Sequence, residues 1–195
     1  MPDYSKYSYL KPDWGYIYYP CKEDIPDDIP EPCGLPVLTT SFFDANLLFD
    51  YITGRSVSGI IHLLNKTPIS WFCKKQNVVE TASYGSEFTA LRICVEQIIS
   101  VRTDLRYFGA PIEGPSVIFG DNKAVIDSGM NASYRLKKRH DILAFHKVRE
   151  AIASDIVRCY HIEGKNNPAD VLTKHRSSRE WYELMKPFIF WAWRD

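Results

Sequence analysis

Residues 37–50 have the sequence VLTTSFFDANLLFD, and the rest of the chain can be arranged around this stretch. Seven mostly apolar or β-branched residues precede a carboxylate, Asp44, which is the pattern of a strand buried on both faces. We therefore predict that the strand ends at Asp44, where the core meets solvent. A charge in such a place needs a partner, such as a helix N-terminus, a cation or a metal ion.

Composition limits the class of protein. The 195-residue chain is 45% hydrophobic and 25% charged, which is typical of a globular domain. No apolar run approaches the roughly 18 residues of a membrane span, and the N-terminal residues lack the apolar centre of a signal peptide. Five scattered cysteines without a C-x-x-C pair predict neither a zinc site nor a disulfide framework. We expect an intracellular, non-secreted protein without a membrane partner.

Residues 1–36 differ in composition from the rest of the chain. They contain seven of the twelve prolines, with seven acids against three bases, so they carry a net charge of −4 and residues 37–195 carry +4. This composition predicts an extended, acidic arm or linker over residues 1–36 and a single domain over residues 37–195. Aromatic residues such as Trp14 and Tyr18 are candidates to dock part of the arm onto the domain. The modest positive surplus permits nucleic-acid binding without requiring it.

Hydrophobic periodicity predicts a mixed α/β sheet. Three strand-like runs at the start of the domain, separated by short turns, indicate an antiparallel meander. A helical pattern follows over about residues 84–107, with Ser83 as a candidate N-cap. The remaining order is a strand ending at Asp121, two helices, a fifth strand, and helices that begin near Asp170 and Ser178.

Four acids fall at the predicted ends of these elements: Asp44, Glu87, Asp121 and Asp170. Taken singly, the last three are better explained as ordinary acids near helix N-termini, where they favour the helix dipole. Asp44 is harder to explain in that way, because acids are poor strand residues. As a set, carboxylates at strand ends and helix starts suit hard cations such as Mg²⁺, which take oxygen ligands. Two such ions can promote hydrolysis of a phosphodiester.

The chain also resembles a known family, the ribonuclease H domain of Ty1/copia-type retrotransposon polyproteins. The resemblance covers about residues 12–185 and lies in five blocks: SFFDAN, ISWFCKKQNVVETASYGSEFTAL, VIFGDNKAVID, KKRHDILAFHKVRE and NPADVLTK. It implies an RNase H-like fold over residues 37–195, with a five-stranded mixed sheet of three antiparallel and then two parallel strands, and flanking helices. The implied activity is Mg²⁺-dependent endonucleolytic hydrolysis of the RNA strand of RNA–DNA hybrids.

The family's four catalytic acids correspond one for one to the four acids already named. The resemblance implies that Asp44 bridges two Mg²⁺ ions, with Mn²⁺ as an alternative metal. Glu87 and Asp121 would bind one ion and Asp170 the other. It also implies an RNA–DNA hybrid as partner, a reverse transcriptase domain upstream in a longer polyprotein, and a location in the cytoplasm, the nucleus or a virus-like particle.

Candidate nucleic-acid contacts lie near these acids and in one basic cluster. A hybrid is held through its backbone and distinguished from DNA through its 2′-hydroxyls. The candidates are Asn46, Asn122, Lys123, Lys137, Lys138, Arg139 and His140. The LKKRH cluster at residues 136–140 is explained equally well by phosphate contacts or by a solvated helix face, and the role of His140 stays open.

One departure from the family pattern leaves the activity open. The family's DADWAGD- or DADHAGD-like motif is DANLLFD here, so Asn46 replaces an acid, and Leu48 and Phe49 replace a small Ala-Gly pair. Lys123 replaces the glutamine of a DNQ-like block. Four intact acids favour an active enzyme, whereas the bulky pair favours an inactive RNase H-like module that binds nucleic acid or a partner. An integrase or transposase needs only three acids, and the KKQ…SEFTAL block argues against that third possibility.

Overall fold

The computed structural model of the chain describes residues 14, 17–18, 21–136 and 142–189. Its strands are β1 (Thr39–Asp50), β2 (Arg55–Leu64), β3 (Thr67–Lys75), β4 (Ser116–Gly120) and β5 (Val157–His161). Its helices are α1 (Ser83–Tyr107), α2 (Lys123–Met130), α3 (Ile142–Ala153), α4 (Asp170–Thr173) and α5 (Ser178–Met185), with single 3₁₀ turns at Gly164–Asn166 and Lys186–Phe188.

The five strands form one sheet in the order β3-β2-β1-β4-β5. The first three strands pair antiparallel, whereas β4 pairs parallel with both β1 and β5. This is the five-stranded mixed sheet predicted from the sequence. The parallel pairs place the ends of β4 and β5 at the same edge of the sheet, where Asp121 directly follows β4 and Asp170 begins the helix that comes after β5.

The predicted end of the first strand was wrong, because β1 continues for six residues beyond Asp44. Pairing with β2 carries it on, with Asp44 opposite Gly59 and Asp50 opposite Arg55. The parallel pairing of β1 with β4 nevertheless stops at Phe42. Asp44 therefore lies inside the antiparallel ladder but past the last residue of β1 that pairs with β4.

The long helix starts one residue earlier than predicted. Ser83 is the first residue of α1 and Ala82 occupies the N-cap without a side-chain hydrogen bond, so the predicted Ser83 cap was wrong. Glu87 consequently lies in the second turn rather than the first. Its neighbour Phe88 and the apolar residues at helical spacing after it are buried against the sheet.

The sheet separates two hydrophobic clusters. The larger lies between the sheet and helices α1, α2 and α3 and includes Phe43, Phe88 and Ile118. The smaller covers the opposite face, where Phe42 and Phe119 pack with Ala169 and, more peripherally, with Phe188. Both faces of β1 are thus buried near Asp44, as its apolar sequence predicted.

The described part of the N-terminal arm lies against the domain. Glu23 accepts hydrogen bonds from Arg102 and Arg106 of α1 at 2.6–2.8 Å, and the Cys33 backbone N–H donates to the Gly109 backbone oxygen at 2.7 Å. Trp14 is buried, and the Arg149 guanidinium carbon lies over its ring, 4.8 Å from the ring centroid. The boundary at residue 36 stays a prediction. Among the residues that the structure describes, no helix combines the length and the apolar character required to traverse a bilayer.

Candidate metal centre

Three elements bring three carboxylates together at one edge of the sheet. Asp44 comes from β1, Glu87 from α1, and Asp121 directly follows β4. Ligand atoms of the three side chains all lie within 4.8 Å of one another. Asp44 is fully buried, Glu87 is 7% exposed and Asp121 is half-buried, so the cluster opens toward solvent on the Asp121 side.

Burial and mutual repulsion disfavour the ionised forms of these acids. Burial raises the pKa of Glu87 to about 9, and the charges of Asp44 and Asp121 add to this rise. Burial also raises the pKa of Asp44 to about 6, although a hydrogen bond from Thr173 and the charge of Lys174 oppose the rise. The pKa of Asp121 is raised as well, chiefly by burial. Among the described residues, Lys174 forms an ion pair with Asp44, whereas Glu87 and Asp121 have no ion-pair partner.

One atom of the cluster is left without a hydrogen bond. The backbone N–H of Ala45 donates to the Glu87 carboxylate, but Glu87 Oε2 is buried and has no hydrogen-bond partner among the described residues. A buried carboxylate oxygen without a donor is costly unless a cation compensates it. An all-oxygen ligand set is also what Mg²⁺ prefers. The three side chains thus fit a hard divalent cation.

The fourth acid, Asp170, has a different environment. It is the first residue of α4 and only 1% exposed, and it forms ion pairs with Lys174 and Arg176. The Lys174 ammonium also lies 3.3 Å from Asp44 Oδ1, so it bridges the two aspartates. Asp170 thus lies near Asp44, with the Lys174 ammonium between the two carboxylates, and its place in a metal site stays a prediction.

Hydrogen bonds between residues distant in sequence fix the position of α4 relative to Asp44. The Thr173 hydroxyl donates to Asp44 Oδ2, and the Asn46 amide donates to the Thr173 backbone oxygen at 3.0 Å. The buried Asn167 amide donates to the Phe43 backbone oxygen at 2.9 Å, just before α4 begins. Together these bonds connect the strand that carries Asp44 to the short helix that carries Asp170.

Close packing of α4 on the sheet depends on Gly59, which lies opposite Asp44 on β2. A Cβ atom at residue 59 would lie 2.7 Å from Thr173 Cγ2 and 2.9 Å from both the Ala169 backbone oxygen and Leu172 Cβ. Only a residue without a side chain leaves room for the helix at this distance. Gly59 is therefore part of the scaffold of the site.

The bulky pair that departs from the family motif lies in an irregular stretch of β1. The β1–β2 register shifts between Asn46 and Asp50, and Leu48 has a φ of 54°, a conformation in which a branched side chain is strained. Leu48 and Phe49 are each 41% exposed, and the Phe49 ring stacks on His175 at a centroid distance of 6.5 Å. The pair lies at the rim formed by the loop after α4 and is not part of the buried carboxylate cluster.

The predicted nucleic-acid contacts are described only in part. The side-chain oxygen of Asn122 caps α2 by accepting from Val125 N, and Lys123 is exposed at the start of that helix. Asn46 donates its amide to the protein itself. The other four candidates, Lys137, Lys138, Arg139 and His140, lie outside the residues that the structure describes.

Sequence reasoning gave no role to several residues that shape the site. Thr173 and Lys174 follow Asp170 by three and four residues, the spacing that places side chains on one helix face, and this spacing was a usable signal. Gly59 inside a strand was another, since glycine in a strand often marks a close approach of backbone. The contribution of Arg176 depends on the course of the loop after α4 and had no local signal.

Comparison with solved structures identifies the fold as that of ribonuclease H. The N-terminal RNase H domain of rv2228c from Mycobacterium tuberculosis matches 77% of this chain and 97% of its own, with a TM-score of 0.54 and 10% identity. LC11-RNase H1, solved in complex with an RNA/DNA hybrid, matches 69% of this chain and 92% of its own, with a TM-score of 0.53 and 16% identity. The protease-reverse transcriptase of prototype foamy virus matches 79% of this chain and 22% of its own, with a TM-score of 0.52 and 15% identity.

Sequence comparison points to transposon polyproteins. The chain is 26% identical over 154 residues to a retrovirus-related Pol polyprotein from transposon TNT 1-94 of Nicotiana tabacum, a match over 79% of this chain and 11% of that protein. It is 29% identical over 125 residues to the Pol polyprotein from transposon RE2 of Arabidopsis thaliana, a match over 64% of this chain and 8% of that protein. The chain thus spans about a tenth of the length of these relatives.

No family model matches the chain. The resemblance to Ty1/copia-type Pol polyproteins that the sequence motifs indicated is nevertheless confirmed by these relatives. The chain has an RNase H-like fold and is related to a segment of retrotransposon Pol polyproteins.

Proposed function

We propose that the chain is a retrotransposon-type ribonuclease H, which hydrolyses the RNA strand of RNA–DNA hybrids with Mg²⁺. The observation that carries this proposal is the cluster of Asp44, Glu87 and Asp121, whose ligand atoms lie within 4.8 Å of one another. The RNase H-like fold and the transposon relatives support the same activity. Neither relationship alone would require a metal centre at this place.

The residues that would hold the metal are the three clustered carboxylates, with Asp170 available on the other side of Asp44. Mg²⁺ bound there would supply Lewis acidity for activating water and neutralising charge at a scissile phosphate. We propose a site for two ions, as the resemblance implies, and Mn²⁺ as a substitute. The orphaned Glu87 Oε2 and the raised pKa values of the cluster support a site that is completed by cations.

Hydrogen bonds and an ion pair within the chain orient the acids of the site. The Thr173 hydroxyl fixes one Asp44 oxygen, and the other is 3.3 Å from the Lys174 ammonium. The Asp121 backbone oxygen accepts a hydrogen bond of 3.0 Å from His161 Nε2, which holds the end of β4. A carboxylate held in one rotamer before substrate arrives needs no reorganisation during the reaction.

We propose that the hybrid lies across the open side of this cluster. Exposed Lys123, two residues after Asp121, is placed to contact a phosphate, and the amide nitrogen of Asn122 remains a candidate for a minor-groove contact. The role of Asn46 is limited by its bond to Thr173. Lys137, Lys138, Arg139 and His140 stay candidate contacts to the nucleic acid. We also propose that a reverse transcriptase domain lies upstream in a longer polyprotein.

A second candidate function is an RNase H-like module that binds hybrids without cleaving them. The pairing of Asp170 with both Lys174 and Arg176 favours it, because cations already neutralise this acid. Strain at Leu48 and the departure of Leu48–Phe49 from the family motif point the same way. The two candidates share the fold and differ only in chemistry.

Cleavage of three end-labelled duplexes of one sequence separates the candidates. With Mg²⁺, the enzyme should cut the RNA–DNA hybrid and leave duplex DNA and duplex RNA intact. Asp44→Asn should lower the hybrid cleavage rate by about 10³-fold or more, since it removes a ligand shared by the site. Asp127→Asn on α2 is the matched control and should cleave normally. Binding of the hybrid without cleavage by the unaltered chain would favour the inactive module instead.

A further inference from the structure

The side chain of Lys174 occupies the space between two acids of the proposed metal site. Its ammonium contacts Asp170 Oδ1 and lies 3.3 Å from Asp44 Oδ1. Asp44 and Asp170 are 0% and 1% exposed, whereas the Lys174 side chain is 40% exposed. The lysine thus reaches from the surface into a buried pair of carboxylates.

Positive charge is distributed unevenly over the four acids. Asp170 pairs with two cations, Lys174 and Arg176. The described residues provide no ion pair to Glu87 or Asp121 in the cluster on the other side of Asp44. Protein cations therefore oppose a divalent ion less beside Glu87 and Asp121 than between Asp44 and Asp170, where the Lys174 ammonium contacts both acids.

We propose that Lys174 is a tethered counter-ion that holds the second metal position, so that the two ions bind in sequence. This inference rests on the proposed two-metal function and deepens it. The first ion enters the cluster of Asp44, Glu87 and Asp121, where Lys174 is paired with Asp44 but Glu87 and Asp121 have no ion-pair partner among the described residues. The second ion binds between Asp44 and Asp170 only when the Lys174 ammonium moves away, because two cations cannot share that space.

The attachment of Lys174 suits such a displacement. It is the residue directly after the four-residue helix α4, and it belongs to the sequence 174–177 that leads into α5. A lysine ammonium on a flexible four-carbon stem can turn toward solvent without a change in the backbone. Arg176 would keep Asp170 partly neutralised while the lysine is displaced. A divalent metal ion would therefore replace the Lys174 ammonium between Asp44 and Asp170.

Counting bound Mn²⁺ by electron paramagnetic resonance during a titration tests this inference without measuring activity. The unaltered chain should bind one ion tightly and a second ion more weakly. Lys174→Gln should tighten the second ion by on the order of tenfold and the first ion much less, because a neighbouring positive charge is lost. Lys174→Arg, which retains a cation, should preserve the gap between the two dissociation constants. Lys66→Gln, at an exposed turn between β2 and β3, is the control and should change neither.

Thermal unfolding at increasing Mn²⁺ separates competition from a merely structural role. Without metal, Lys174→Gln should unfold at a lower temperature, since Asp44 and Asp170 lose a counter-charge. This deficit should shrink as Mn²⁺ rises, because tighter binding stabilises the folded variant more. A deficit that stays constant at all concentrations, or a second dissociation constant unchanged by Lys174→Gln while the first ion still binds, would overturn the inference and leave the proposed function intact. Failure of the unaltered chain to bind any ion would overturn both.

Discussion

At the scale of single residues, the site is dominated by carboxylates that repel one another. Asp44, Glu87 and Asp121 come from distant parts of the sequence and converge where the chain provides little compensating charge. A protein maintains such an arrangement at a cost to stability, and this is expected where a ligand or reaction uses it. The cost has a measurable pH dependence.

The metal-free protein should become less stable as pH rises. The folded-state pKa of Glu87, about 9, lies above its ordinary value of 4.5, so its contribution to stability is complete below pH 4.5 and is lost as pH rises toward 9. Asp44 acts in the same direction, with a folded-state pKa of about 6. Glu87→Gln should flatten the profile between pH 5 and 8 and stabilise the metal-free protein at pH 8 by about 2 kcal/mol or more.

The measurement is urea unfolding at several pH values in the presence of a chelator. Glu96→Gln, on the same helix and paired at the surface with Arg92, is the control and should leave the pH slope unchanged. Adding Mg²⁺ should reduce the slope of the unaltered protein. An equally steep fall in stability for Glu87→Gln would show that the cluster is not the cause.

At the scale of secondary-structure elements, local patterns predicted the order of strands and helices along the chain, and the family resemblance implied the mixed sheet that they form. Periodicity located all five strands and the helix that carries Glu87, because these signals depend on near neighbours in sequence. It placed the end of β1 wrongly at Asp44, since continuation of that strand depends on pairing with β2. The short helix α4 is positioned by contacts distant in sequence, so the bridge from Lys174 to Asp44 had no local signal.

The docking of α4 on β2 should be sensitive to a single methyl group at Gly59. Gly59→Ala places a Cβ atom within 2.9 Å of three atoms of the segment that carries Asp170. We expect a loss of about 2 kcal/mol in the free energy of unfolding, because the packed segment must shift. Displacement of Thr173 and Asp170 should also lower the rate of hybrid cleavage at fixed Mg²⁺.

Gly129→Ala on α2 is the matched control for this substitution. Its Cβ atom would make ordinary contacts of 3.5 and 3.6 Å with Val148 and Ile152. Alanine is the better helix former, so this variant should be neutral or up to about 1 kcal/mol more stable. Chemical denaturation of both variants checks the pair, and equal stability of the two would contradict the proposed role of Gly59.

At the scale of the whole molecule, the acidic arm is fastened to the domain that carries the site. Composition predicts an extended acidic segment over residues 1–36, and its described residues contain no helix or strand. Composition did not predict that one of its acids, Glu23, would pair with two arginines of α1, one of them only 4% exposed. Hydrogen bonds from Arg102 and Arg106 outweigh burial and lower the pKa of Glu23 to about 2.

Removing this charge should loosen the arm and destabilise the fold. Glu23→Gln leaves two largely buried guanidinium groups without their counter-ion, which typically costs roughly 3 kcal/mol. The effect should be seen above pH 5 and vanish toward pH 2, because a group with a lowered folded-state pKa loses its contribution as pH falls through that value. Thermal unfolding measures it, with exposed Glu113→Gln as the control. Similar stability for the two variants would mean that the arm contributes little.

Metal-dependent hydrolysis at the carboxylate cluster is tested by measuring how cleavage of an internally labelled RNA–DNA hybrid depends on Mg²⁺, for the unaltered chain and for Asp121→Asn. Cleavage should require Mg²⁺, stop with a chelator, leave 3′-hydroxyl and 5′-phosphate ends, and fall by at least about 10²-fold in the variant. Cleavage that persists without divalent metal, or that survives Asp121→Asn at full rate, would contradict the assignment of the carboxylate cluster as the catalytic centre.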